Sequence, residues 1–155
     1  MERRVALFLT SAAVLWTTAI FFAPLPHAHT EGFTLSRAIR ATGALVCHQR
    51  LERSFMIGGR PMPVCARCTG LYVSGAAGAL AAWMALPLMP RRTRTAIVAA
   101  AVPTVATIVL ESAGLAQPGN VVRAMAALPL GAACGWMFVR MLRAEAAPST
   151  CVMIS

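Results

Sequence analysis

The sequence predicts an all-α membrane protein with about four transmembrane helices and one long polar loop between the first and second. Three observations carry this expectation. The 155-residue chain is 58% hydrophobic and only 12% charged, where soluble domains are roughly a quarter charged. Its apolar residues gather into long blocks. Those blocks are separated by clusters of Pro, Gly and Arg. A soluble domain of this length needs more polar groups to cover its surface, so lipid is the solvent that fits.

The first block runs from Val5 to Phe22 behind Glu2-Arg3-Arg4 and is closed by Pro24 and Pro26. Its length is at the short end for a span. The predicted first element, residues 1–26, is a retained transmembrane helix; a signal segment ending near Ala28 is the alternative. Residues 27–68 form the polar stretch, rich in Cys, His and Arg. Within it, Thr34 to Ser36 is expected to cap a short helix through Leu35, Ile39, Leu45 and Val46. Gly58-Gly59, Pro61 and Pro63 are expected to break any regular element after it.

Residues 69–143 are predicted to form a three-helix membrane bundle. The second span covers Thr69 to Met89, ahead of Pro90-Arg91-Arg92. The third covers Thr95 to Leu115, and Gln117-Pro118-Gly119-Asn120 is a turn signal before the fourth. Gly70, Ser74, Gly78 and Ala82 recur every fourth residue and share one helix face. Ala127, Gly131 and Gly135 form a similar face on the fourth span. Small residues let helix backbones approach closely. These two faces are therefore expected to pair with each other, or to bind a second copy or another membrane protein. Residues 144–155 are expected to be a disordered tail.

All 14 basic residues are Arg and all five acidic residues are Glu, for a net charge of +9. The Arg residues sit in loops and at span ends, where they meet lipid phosphates and set topology. With 6% aromatic residues there is little to stack on bases, and nucleic acid is not an expected partner. Short flanks carrying Arg3, Arg4, Arg91, Arg92, Arg94, Arg140 and Arg143 place both termini in the cytoplasm. The polar loop and Arg123 then lie outside the cell's inner membrane.

The chemistry concentrates in Cys47-His48-Gln49, Arg53-Ser54 and Pro63-Val64-Cys65-Ala66-Arg67-Cys68-Thr69-Gly70. Cys47, His48, Cys65 and Cys68 offer the four soft ligands of a tetrahedral site. Zinc is the first expectation, and copper(I) also favours thiolate. Adjacent Cys47 and His48 can share one ion only where the backbone leaves the helix. His27 and His29 are auxiliary candidates. The same thiols also fit a membrane thiol–disulfide oxidoreductase using Cys65 and Cys68, or a static disulfide. A non-enzymatic accessory subunit of a membrane complex is a further class. No His-Glu-x-x-His or similar catalytic pattern is present, and whether the chain is an enzyme stays open here.

Glu111 lies near the end of the third span, where a carboxylate needs a partner. Thr104, Thr107 and Glu111 share a helix face, and Arg123, just across the turn, is the expected partner. Cys134 reads as packing. Cys151 is fifth from the end and misses the prenylation pattern.

These motifs resemble the bacterial and archaeal membrane family known as domain of unknown function 2085. The resemblance runs from about Leu45 to Arg140. It implies a small multi-helix membrane protein whose signature is these Cys, His and Arg residues, with Gln49, Arg53, Ser54 and Arg67 among them; it implies no activity. Asn120, Arg123, Gly131 and Gly135 look like the family's later positions. The family often places an Asp after the third-helix Pro, where this chain reads Pro103-Thr-Val-Ala-Thr107. A role carried by that Asp is either missing from this chain or has moved to Glu111.

Overall fold

A computed structural model describes residues 2–25, 30–84 and 93–145. Helix α1 spans Glu2–Phe22 and α2 spans Thr30–Ala44. A 3-10 turn over Leu51–Arg53 leads into a hairpin of β1, Met56–Ile57, and β2, Arg60–Pro61. Helices α3, Ala66–Met84, α4, Thr93–Ser112, and α5, Asn120–Glu145, complete the chain.

Three of these helices are long and apolar enough to cross a membrane: α1 over Arg3–Phe22, α4 over Arg94–Ser112 and α5 over Asn120–Arg143. Among the described residues, which stop at Met84 within the second predicted span, three of the four expected spans qualify. The described part of the second predicted span, α3, is diluted by Arg67, Tyr72, Ser74 and several glycines. Its polar and small residues mostly face protein, while Val73, Leu80 and Met84 stay exposed. Thr69, Gly70, Ser74, Ala76, Gly78, Ala79 and Ala82 are all buried. By contrast α4 exposes Val98, Val102, Val105, Ile108, Val109 and Leu110, which suits a helix facing lipid.

Helices α3 and α5 run parallel and make the most extensive contact in the fold. A Cβ added at Gly70 or Gly78 would strike the backbone of Ala124 or Ala132, and one at Gly131 or Gly135 that of Leu71 or Gly75. The two small-residue faces therefore meet each other inside one chain. This corrects the expectation that they could serve a second copy or another protein: both faces are already covered. Close backbone contact of this kind is how helices gain dispersion energy where lipid removes the hydrophobic drive.

Helix α1 runs antiparallel to α3. Thr17 donates to the Tyr72 carbonyl at 3.2 Å, and Trp83 Nε1 donates to Thr10 Oγ1 at 3.0 Å. Trp16 and Tyr72 pack edge to face, 6.1 Å between centroids. Helix α4 is antiparallel to α5, with Thr104 donating to the Ala126 carbonyl at 2.8 Å. At the far end Arg143 Nη1 donates to the Ala82 carbonyl at 2.6 Å and lies over the Trp83 ring.

The polar stretch is more ordered than expected. Helix α2 starts at Thr30, so Ser36 is not its cap. Ser36 instead donates to the Ala23 carbonyl at 2.6 Å and clasps α2 to the end of α1. Of the apolar positions expected to form one face, Ile39 is buried while Leu35, Leu45 and Val46 are exposed. The second correction is Gly58-Gly59. Their φ values of 56° and 76° are those a two-residue hairpin turn requires, so they build the β1–β2 hairpin rather than break structure. Met56 pairs with Pro61 and Ile57 with Arg60. His27, His29, residues 85–92, Cys151 and the predicted tail from residue 146 lie outside the described residues.

Candidate functional site

The site forms where the starts of α3 and α5, the ends of α1 and α4, and the hairpin segment meet. Helix α2 ends with Cys47 N–H donating to the Gly43 carbonyl at 2.9 Å, which leaves Cys47 just past the last turn. Gln49 then takes a positive φ of 46°. Its side-chain amide donates to the carbonyls of Arg40 at 2.7 Å and Pro63 at 2.6 Å. That pair of bonds ties the end of α2 to the segment leading into α3. Gly43 is required beside it, since a Cβ there would lie 2.7 Å from the Pro63 carbonyl oxygen.

The result is a cluster of three thiols. The sulfurs of Cys47, Cys65 and Cys68 all lie within 4.8 Å of one another. A tetrahedral zinc ion with Zn–S bonds of about 2.3 Å holds its sulfurs ~3.8 Å apart. The cluster is thus close to the spacing needed and can hold a metal ion. Cys47 is buried, and Cys65 and Cys68 are half-buried, against an apolar cluster of Ile20, Ile39, Met62 and Val64. The Cys65 amide donates to the Cys47 sulfur at 3.2 Å. The Cys68 thiol, hydrogen-bonded to the Cys65 sulfur, pulls Cys65 from its ordinary 9.0 down to about 5, against the opposing push of burial. The described cysteines are free of disulfides.

His48 is not part of this cluster. It is exposed on non-helical backbone after α2 and lines an adjoining cavity of about 430 Å³ that Cys65 also borders. The expected helical separation of Cys47 from His48 does not apply, because the helix has already ended. Cys134, expected to pack among small residues, is instead exposed and borders an apolar crevice between α1, α3 and α5.

Glu111 lines the same cavity. Its carboxylate is 7% exposed and meets three guanidiniums. Arg123 reaches Oε1 at 2.9 Å, Arg53 reaches Oε1 at 3.0 Å and Arg67 reaches Oε2 at 3.1 Å. The expected partner, Arg123, is present, and two more join it from elements distant in sequence. Arg123 Nη1 also donates to Asn120 Oδ1 at 3.0 Å, and Asn120 Nδ2 donates to the Ser54 carbonyl at 3.0 Å. Buried Ser54 in turn donates to the Arg50 carbonyl at 2.9 Å. The start of α5 is thereby fixed to the turn after the thiol loop. Thr107 and Thr104 continue the face predicted for them: Thr107 donates to the Thr104 carbonyl at 2.8 Å, and Arg67 approaches Thr107 Oγ1 at 3.5 Å.

Two contributors escaped the sequence reading of this site. Asn120 stood out as a turn residue and as a position of the resemblance, not as a partner of this site, and Arg50 did not stand out. Neither has a spacing signal, because both reach the site through tertiary folding.

The comparisons agree with this picture. The profile of the family described as "Predicted membrane protein (DUF2085)" matches residues 47–137, which include the three cysteines, Glu111 and all three of its arginines. An uncharacterized protein of Methanothermobacter thermautotrophicus is 33% identical over 90 residues, covering 56% of this chain and 78% of that one. An uncharacterized protein of Methanocaldococcus jannaschii is 43% identical over 54 residues, 35% of each chain. No solved structure matches the chain. A profile spanning the thiol cluster, the Glu111 hub and the α3–α5 contact covers most of what the fold is built around, and the chain belongs to the predicted membrane protein family DUF2085.

Proposed function

We propose that this protein holds one divalent metal ion, zinc, through Cys47, Cys65 and Cys68, with His48 as the fourth ligand. The observation that carries this reading is the approach of three sulfurs to within 4.8 Å, one of them already accepting an amide hydrogen bond. His48 supports it by sharing a cavity with Cys65. Exposed and outside any helix, it can turn toward the sulfurs. The ion's role is structural. It pins the end of α2 to the first turn of α3, and so sets the hairpin and the arginines around Glu111. A closed four-ligand site of this kind contributes directly to folding.

Cobalt(II) exchange tests the ligand set. Thiolate-to-cobalt charge transfer that weakens stepwise in Cys47→Ser, Cys65→Ser and Cys68→Ser variants supports it. A spectrum that does not change in these variants rules it out. In His48→Ala the visible bands should broaden and shift as water replaces imidazole.

The lowered pKa of Cys65 favours a second reading, a thiol–disulfide oxidoreductase. Cys65 would attack a substrate disulfide, and Cys68 would resolve the mixed disulfide, releasing the substrate as a dithiol. Purified protein that contains no metal and cycles between dithiol and disulfide supports this reading over the first.

For membrane placement, we propose that α3 is a fourth span. It lies between α1 and α5, and successive long helices alternate in direction, which brings the two termini to one side. The Arg-rich flanks make that side the cytoplasm and put the thiol cluster at the outer face of the inner membrane.

A further inference from the structure

The cavity that His48 and Cys65 border is also lined by arginines that the metal reading does not use. Four guanidiniums line it, those of Arg50, Arg53, Arg67 and Arg123, against the single carboxylate of Glu111. Three of the four already share that carboxylate. One negative charge cannot offset them, and two of the three are largely removed from solvent, with side chains 20% and 8% exposed for Arg67 and Arg123. Buried like charges without compensation are costly. The Arg50 guanidinium makes no hydrogen bond or ion pair within the described residues and stands at the rim. Metal binding next door does not remove the imbalance. Three thiolates on a divalent cation carry one net negative charge, and the cavity stays positive.

We infer that this cavity binds a phosphate group. Its volume of about 430 Å³ lies in the roughly 300–1,000 Å³ range of small-molecule sites. The uncompensated charge exceeds one unit, which matches a dianion better than a second carboxylate. Guanidiniums arriving from the 3-10 turn, α3 and α5 can address separate oxygens of a tetrahedral group, and charge-assisted bonds of this type are the strong ones. Glu111 then acts as the spacer that keeps Arg53, Arg67 and Arg123 apart and pointed at one place. The phosphate can come from a free phosphate ester or from a lipid headgroup at the membrane surface. The inference stands on the arginines and not on the metal.

The test uses full-length protein in a zwitterionic detergent at constant ionic strength. Inorganic phosphate is titrated in one arm and short-chain phosphatidic acid in the other, against chloride. Wild-type protein should show saturable binding in at least one arm. Arg50→Gln and Arg53→Gln should each weaken it by about tenfold, which is about 1.4 kcal/mol. Both residues sit at the exposed side of the cluster, so these variants retain the fold, and circular dichroism verifies it. Arg94→Gln, near the opposite end of α4, should bind as wild type. Binding of inorganic phosphate identifies a soluble ligand. Binding of phosphatidic acid alone identifies a lipid headgroup. Absence of binding in both arms overturns the inference, as does equal weakening by Arg94→Gln.

Discussion

Glu111 and Arg123 meet at 2.9 Å across the turn that joins α4 to α5, and both side chains are more than nine-tenths buried. The contact turns a helical hairpin into a hub, because Arg53 and Arg67 bind the same carboxylate. Removing the carboxylate leaves three cations facing one another. Glu111→Gln should therefore lower stability by on the order of 3–5 kcal/mol, the usual result of breaking a buried pair. Arg53→Gln should cost at most about 1 kcal/mol, since Arg53 is 36% exposed and exposed pairs contribute little. Denaturation of the detergent-solubilised variants compares the two. Equal effects would contradict the hub.

The α3–α5 contact makes a contrast between neighbouring glycines. A methyl at Gly78 meets the Ala132 backbone, which cannot yield, whereas one at Gly75 finds only the Gly131 oxygen at 3.6 Å, an ordinary contact. Gly78→Ala should destabilise by about 1–3 kcal/mol, the range for overpacking, and Gly75→Ala should be near neutral. Thermal unfolding in detergent measures the difference.

Much of this was legible in the sequence, for definite reasons. The small-residue faces follow from a helix period of 3.6, and that period is local. Glu111 with Arg123 was readable because a Pro-Gly turn brings neighbours in sequence together. The gathering of Arg53 and Arg67 at the same carboxylate was not readable, since those residues lie far from Glu111 along the chain and no periodicity links them. Gly58-Gly59 was misread because the same dipeptide signals both a break and a two-residue hairpin turn. Only the pairing of Ile57 with Arg60 decides between them. The second span is the least apolar over its described part, since α3 owes its place more to contact with α5 than to its own hydropathy.

Cys65 provides a pH prediction in metal-stripped protein. Its pKa is lowered to about 5 by the Cys68 thiol, so the thiolate persists above that value and is lost as pH falls through it. Alkylation by iodoacetamide should stay near its maximum from pH 8 down to about pH 6 and fall by half near pH 5. Cys68→Ala removes the donor, and the midpoint should move up toward the ordinary value of 9.0. Mass spectrometry of the alkylated Cys65 peptide reads both curves. A midpoint that ignores Cys68 would contradict the hydrogen bond.

Orientation is checked in cells. With the thiol cluster at the outer face, a membrane-impermeant maleimide should label Cys65 in intact spheroplasts after metal chelation. Labelling only after the membrane is opened would invert the topology.

The central claim is that Cys47, Cys65 and Cys68 hold a metal ion. Elemental analysis of detergent-purified protein beside Cys65→Ser and Cys68→Ser measures it most directly. We expect about one zinc per chain in the wild type, near none in either variant, and a lower unfolding temperature in both. A metal-free wild type as stable as its variants would contradict the claim.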